Sequence, residues 1–260
     1  MQTACVVTGG ARGIGRGIAE LMVARGHQVV IGDLDGWAAA TTAAEIGAVA
    51  GLAQDVRDPG SHRLVAEEAA RHGALTTWFN NAGVGDDGTL ASLTEAQVRL
   101  LVEVNLLGTT WGTRAALAAF GPAGGDVVNI ASLAALGPVP GYSMYAATKA
   151  AVVSLSASVN AEAPSGVRVH ALCPDGVDTA MLAAQDPSGL GSQLVHSGGA
   201  ILSVADVATA AVSLVGSARV VRTVPGWRGG VVRASALAPG VMQHAAGLFA
   251  AQGRRAMKRR

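Results

Sequence analysis

Residues 4–15 read ACVVTGGARGIG, a short apolar run that passes directly into a glycine-rich turn. Apolar residues without alternation mark a strand buried on both faces, as in a parallel sheet. After the turn, Ile14, Ile18, Leu21 and Met22 recur at helical spacing. Gly9 permits the tight turn, Gly13 lets the backbone approach a phosphate, and Gly15 lets the helix pack closely on the sheet. The free N–H groups at such a helix start favour an anion. A strand-to-helix turn needs no ligand, so the glycines alone decide little. Their context does more: a strand before, a helix after, and an acid, Asp33, 18 residues beyond Gly15. That is the setting of a dinucleotide site.

Outward from this unit the alternation continues. Strand-like runs occupy residues 28–33, 48–55, 75–80, 126–132, 167–173 and 219–224. Helical patterns lie between them at 37–47, 59–72, 94–119, 142–163 and 204–216. Residues beyond Cys173 loosen into a loop-rich stretch too long for a mere connector. We expect a single α/β domain, a Rossmann-like doubly wound parallel sheet of about seven strands with helices on both faces. Residues 1–240 would form the dinucleotide-binding catalytic domain, with a substrate loop at about 178–202. Residues 241–260 would form a C-terminal helix and basic tail.

Composition narrows the function. Half of the 260 residues are hydrophobic and 14% are charged, enough for a large core. Five of the last seven residues are basic, so the formal charge of +1 conceals a mildly acidic body. A nucleic-acid partner is therefore not expected, and a basic terminus is commonly just solvated. Cys5 and Cys173, the only cysteines, cannot build a disulfide scaffold or a cysteine-rich zinc site. No His/Cys ligand cluster is evident, and no metal is expected. The longest uncharged run, residues 127–148, contains Gly137, Pro138, Pro140 and Gly141, which excludes a membrane span there. With no secretory leader apparent, the expected location is cytoplasmic.

Two further features carry chemistry. Asp33 ends the second strand, where a carboxylate can accept both ribose hydroxyls of NAD and repel the 2′-phosphate of NADP. Neighbouring Asp35 is the better cap for the next helix. Arg12 in the glycine loop pulls towards NADP, because a guanidinium can pair with that phosphate. NAD is the expected cofactor and NADP the second choice. The chain also holds two lysines against seventeen arginines, and Lys149 follows Tyr145 by four residues. Both then project from one helix face. A cation beside a phenol lowers its pKa from about 10 towards neutrality, and a poised phenol can exchange a proton with an alcohol or carbonyl.

These residues bring the chain to a family. Residues 2–217 resemble the short-chain dehydrogenase/reductase family, single-domain type. The likeness rests on TGGARGIG, Asp55-Val56, Asn80-Asn81-Ala82-Gly83, Asn105 in VEVNLLGT, Ser132 in NIASLAA, Tyr145-Ala-Ala-Thr-Lys149 and residues 174–179. Twelve residues separate Ser132 from Tyr145, a spacing typical of the family. The resemblance implies that Tyr145 is the general acid/base. It implies that Lys149 lowers its pKa and holds the nicotinamide ribose, and that Ser132 binds the substrate oxygen. Asn105 would hold a water of the proton relay. The cofactor set so implied is Gly9, Arg12, Gly13, Ile14, Gly15, Asp33, Asp55, Val56, Asn81, Ala82, Gly83, Tyr145, Lys149, Pro174, Val177 and Thr179.

Three departures stand out. The family's Pro-Gly after the sixth strand is Pro174-Asp175-Gly176. Thr76 and Thr77 stand where Asp is frequent. The customary C-terminal Asp-Gly-Gly is replaced by VPGWRGG, residues 224–230.

The resemblance implies an NAD(H)-dependent alcohol dehydrogenase or ketoreductase acting on a small molecule. An NADP(H)-dependent 3-oxoacyl reductase is the alternative among enzymes, and a non-catalytic NAD(P)-binding regulator the alternative of another class. Leu133, Leu136, Val139, Tyr142, Met181 and Leu182 are expected around the nicotinamide face. Because none is charged, a neutral, lipophilic secondary alcohol or its ketone is the expected substrate. Gly189, Gly191, Gly198 and Gly199 would hinge the loop over it. His170 is expected to be a satisfied core residue. The helix after Tyr145 is apolar or small almost all round, so it should be buried on more than one side, in a homodimer or homotetramer.

Overall fold

The computed structural model describes residues 2–86, 88–198, 200–237 and 239–258, with backbone alone at residues 239 and 241–246. Gly199, one of the four expected hinges, and the terminal Arg259 and Arg260 lie outside the described residues.

The chain opens with β1 (Thr3–Thr8), α1 (Gly13–Ala24), β2 (Gln28–Asp33), α2 (Gly36–Ile46), β3 (Ala50–Ala53), α3 (Pro59–His72) and β4 (Ala74–Asn80). Next come α4 (Glu95–Leu101), a π-helical segment (Val102–Gly108), α5 (Thr109–Ala119), β5 (Gly125–Ile130) and a 3-10 turn (Leu133–Leu136). It continues through α6 (Ser143–Glu162), β6 (Val167–Pro174), α7 (Ala180–Ala183), α8 (Leu190–His196) and α9 (Val204–Val212). It ends with β7 (Val221–Val224), α10 (Gly226–Ala236) and α11 (Pro239–Met257). The seven strands form one parallel sheet in the order β3-β2-β1-β4-β5-β6-β7. The order reverses between β1 and β4, and ligands of such sheets bind outside the strand ends at that crevice.

Both sheet faces are buried, which explains the unbroken apolar strands. Cys5, Val7, Val29, Ile31 and Phe79 pack with Ile18 and Met22 of α1 and Val207 and Ala211 of α9. The alternate residues Ala4, Val6, Val30, Trp78 and Val127 point the other way, onto Val65 and Ala69 of α3 and Ala116 of α5. His170 is the satisfied core residue expected. Its ring nitrogens lie 2.7 Å from the Arg219 carbonyl and 3.0 Å from Asp126 Oδ1.

Two regions differ from the sequence reading. The helix expected over 94–119 is α4, the π-helical segment and α5 run together. The hydroxyls of Thr109 and Thr110 donate to the carbonyls of Asn105 and Leu106, each at 2.8 Å, within the widened stretch. The C-terminal tail, expected to be solvated, is held against the body at particular points, while Leu248, Arg255 and Lys258 remain exposed. Ala250 is buried. Arg254 Nη1 donates to Gln193 Oε1 of α8 at 2.7 Å, and a Cβ at Gly253 would fall 1.8 Å from the Gln193 carbonyl. Helix α11 thus runs across position 240 and lies against the segment that follows β6.

Candidate active site

A cavity of about 1000 Å³ extends from the glycine turn after β1 to the segment after β6 and onto α10 and α11. At one end Gly9 and Gly13 adopt φ of +61° and +56°, and a Cβ at Gly9 would press within 2.8 Å of Ala82 Cα. Helix α1 begins at Gly13 after Arg12, with no side-chain cap on its first N–H groups, and Arg12, Gly13 and Ile14 line the cavity. Asp33, at the end of β2, accepts from the amides of Ala11 at 3.1 Å and Asp35 at 3.3 Å. Asp35 caps α2 through the Ala38 amide, as expected of it.

The chain reaches the same cavity from β3 and β4. Asp55 lines it in a bidentate pair with Arg57, whose guanidinium holds the carboxyl below its ordinary range. Val56 lies beside it, its carbonyl 2.9 Å from His62 Nε2. Asn81 Nδ2 donates to the carbonyls of Thr8 and Gly9, while Thr8 Oγ1 accepts from the amides of Asn81 and Ala82 at 3.1 Å each. This lacing fixes the crevice between β1 and β4, and Thr8 was missed by the sequence reading. Its signal was its place immediately before the glycines.

Ser132, Tyr145 and Lys149 meet at the other end. Ser132 precedes the 3-10 turn, where its Oγ accepts from Ala134 N at 3.2 Å, and Ser132 is also hydrogen-bonded to Tyr145. Lys149 Nζ donates to the Ile130 carbonyl at 2.9 Å and lies 5.9 Å from the Tyr145 ring centre. The expected lowering of the Tyr145 pKa is not what this arrangement produces. Burial pushes the phenol up and the Ser132 hydrogen bond opposes it, while the ammonium is turned towards the Ile130 carbonyl. The same burial pushes Lys149 down to about 8.

Asn105 stands behind this group and does not line the cavity. Its amide oxygen accepts from Val84 N and its amide nitrogen donates to the Val84 carbonyl, both at 2.9 Å. Gly15 is also outside the lining, because it packs beneath the Gly9 carbonyl. Gly9, Arg12, Gly13, Ile14, Asp33, Asp55, Val56, Asn81, Ala82, Gly83, Pro174, Val177 and Thr179 all line the cavity.

Residues 3–188 match the short chain dehydrogenase family. The chain belongs to the short-chain dehydrogenase/reductase family. Sorbitol dehydrogenase of Cereibacter sphaeroides is 39% identical over 178 residues, 66% of this chain and 70% of that one. The probable oxidoreductase EphD of Mycobacterium tuberculosis is 36% identical over 68% of this chain, which spans 31% of EphD's length. A short-chain dehydrogenase/reductase from Burkholderia phymatum, solved in complex with NAD, superposes with a TM-score of 0.81. It is 27% identical, over 89% of this chain and 92% of that one.

In this member of the family the expected substrate pocket needs two corrections. Leu133, Val139, Tyr142, Met181 and Leu182 line the cavity, but Leu136 does not. It sits at the far end of the 3-10 turn and packs on Ala131, Val152 and Cys173. The lining is also not free of charge. Asp175 and Arg228 both face the cavity as an ion pair, 2.7 Å from Oδ2 to Nη1. The sequence marked Asp175 as a departure but gave Arg228 no role, because α10 lies beyond the motifs that carry the resemblance. Gln185 was missed as well; its Oε1 accepts from the Tyr142 hydroxyl. Trp227, Val231, Val232, Phe249 and Gln252 complete this wall from α10 and α11.

Proposed function

We propose that the protein is an NAD(H)-dependent oxidoreductase that interconverts a neutral, largely lipophilic secondary alcohol and its ketone. The observation that carries this reading is the convergence of Ser132, Tyr145 and Lys149 in the cavity that also receives the glycine turn and Asp33. The cavity fits the cofactor on its own terms. Helix α1 leaves its first N–H groups uncapped, and a Cβ at Gly13 would meet only Thr179 Cγ2, 3.7 Å away. Pyrophosphate would lie against Gly9, Arg12, Gly13 and Ile14, and Asp33 would accept the adenosine ribose hydroxyls. Asp55 and Val56 would flank the adenine. Asn81, Ala82 and Gly83 would border its ribose side, and Pro174, Val177 and Thr179 the nicotinamide. When bound, the nicotinamide supplies or accepts the hydride.

This chain's own residues then handle the oxygen. The Ser132 hydroxyl donates to the substrate oxygen; Tyr145, as phenolate, takes the alcohol proton in oxidation and, as phenol, returns it in reduction. Lys149 would hold the nicotinamide ribose and carry positive charge beside the phenol. Asn105 fixes the Val84 backbone, and any water it holds would connect Lys149 to solvent. The named activity of the sorbitol dehydrogenase relative and the NAD complex of the Burkholderia protein support the reaction class and the cofactor. The apolar wall of Leu133, Val139, Met181 and Leu182 supports the substrate class. The test is a panel of secondary alcohols assayed for coenzyme reduction with NAD and NADP separately. Turnover of neutral alcohols with NAD is expected, and turnover of none of them with either coenzyme contradicts the reading.

A further inference from the structure

The two charged residues that meet on the substrate side belong to segments remote in sequence. Asp175 immediately follows β6, and Arg228 lies in the first turns of α10. Their side chains are 8% and 14% exposed, and Arg228 Nη1 sits 2.7 Å from Asp175 Oδ2. The two atoms are out of hydrogen-bonding alignment. Nη1 itself is fully buried and has no hydrogen-bond acceptor among the described residues. A buried donor left without an acceptor is costly, so native structures rarely keep one without a use.

A third segment makes room for it. A Cβ at Gly198 would fall 1.2 Å from Arg228 Nη1, so a larger residue there would displace the guanidinium from its present place. Gly198 lines the cavity together with Asp175, Arg228, Ser132 and Tyr145. Burial pushes the Asp175 carboxyl upward and the facing Arg228 charge pulls it back, consistent with a carboxylate held beside its partner.

We propose that Asp175 and Arg228 form a specificity-determining clamp that binds a second oxygen, a hydroxyl or carbonyl, on a neutral substrate away from the carbon that reacts. The pair cancels its own charge, so the group it takes is neutral. A carbonyl or hydroxyl oxygen accepts from the Arg228 guanidinium where it lines the cavity, and a hydroxyl also donates to Asp175. A substrate carboxylate would set a second negative charge against Asp175 in a dry site. This inference rests on the proposed alcohol oxidation and narrows its substrate to diols and hydroxyketones with an otherwise apolar body.

Cyclohexanol and the 1,2-, 1,3- and 1,4-cyclohexanediols share one body and differ in where a second oxygen sits. With NAD, the unmodified protein should prefer at least one diol over cyclohexanol in kcat/KM by about tenfold or more, because a site built to bind a hydroxyl rejects the analogue lacking it. Asp175→Ala/Arg228→Met removes both charges together, so neither is left buried alone. In this variant the preference should fall to within about twofold. Arg228→Lys keeps a charge opposite Asp175 without the guanidinium fork, and should show an intermediate preference if the double variant does not fold. No diol preference in the unmodified protein, or a preference that survives in the variants, overturns the clamp while leaving the alcohol oxidation standing. If no alcohol is oxidised, the functional reading fails instead. Calorimetric titration of 1,2-cyclohexanediol and cyclohexanol into the NADH-saturated protein then decides the clamp: a diol advantage confined to the unmodified protein supports it, and equal or absent binding overturns it.

Discussion

The ammonium of Lys149 donates to the Ile130 carbonyl at 2.9 Å while lying 5.9 Å from the centre of the Tyr145 ring. The end of β5 thus holds the lysine of α6 in place beside the phenol. Both side chains are enclosed, so the charge is kept where water would otherwise stabilise it. The cost is visible in the lysine, whose pKa falls from 10.5 to about 8 through burial.

That cost predicts a trade between stability and activity. The folded state binds this proton less tightly than the unfolded chain, so the penalty is fully present below pH 8. It is relieved as pH rises from about 8 towards 10.5. Each unit of depression is about 1.4 kcal/mol, and losing the Ile130 hydrogen bond offsets about 1 kcal/mol. Lys149→Met should therefore raise the stability of the cofactor-free protein by about 2 kcal/mol near pH 7, with the gain shrinking by pH 10. Thermal unfolding of both proteins across that range checks it. The same variant should lose most of its turnover.

Coenzyme choice is expected to lie with Asp33. NAD should give the higher kcat/KM in the unmodified protein, and Asp33→Ala should narrow the gap to NADP. Because Asp33 also accepts from Ala11 N and Asp35 N, the variant's affinity for NAD should fall as well. Steady-state kinetics with both coenzymes measure this, and an NADP preference in the unmodified protein would mean that Arg12 dominates.

Assembly is expected through α6 and the helix bearing Asn105. Ala147, Ser154, Ala157 and Ala161 are exposed along α6, and Leu100 and Leu107 are exposed beside Asn105. Light scattering at micromolar concentration should report a dimer or tetramer, whereas a monomer contradicts this expectation.

Local chemistry accounts for what was legible in the sequence. The glycine turn, the uninterrupted apolar strands and the Tyr145–Lys149 spacing each follow from a short-range rule, and they placed the parallel sheet and the end of the cavity that the glycine turn lines. Burial did not follow from spacing. The sequence pairs Lys149 with Tyr145, but only the packed structure shows that desolvation, not the neighbouring charge, governs the phenol. Leu136 was assigned to the pocket from its neighbours, although the tight turn carries it to the opposite side. Arg228 was invisible for another reason. It pairs with a residue 53 positions earlier in the chain, and no periodicity links α10 to the end of β6.

The central claim is that Tyr145 moves the proton while the cofactor is held chiefly by the glycine turn, Asp33 and Lys149. It is tested most directly by the kcat/KM of Tyr145→Phe for a neutral secondary alcohol, with NAD affinity measured on the same protein. The expected result is a loss of about 10²–10⁴-fold or more with NAD affinity nearly unchanged. Turnover close to that of the unmodified protein would contradict the account.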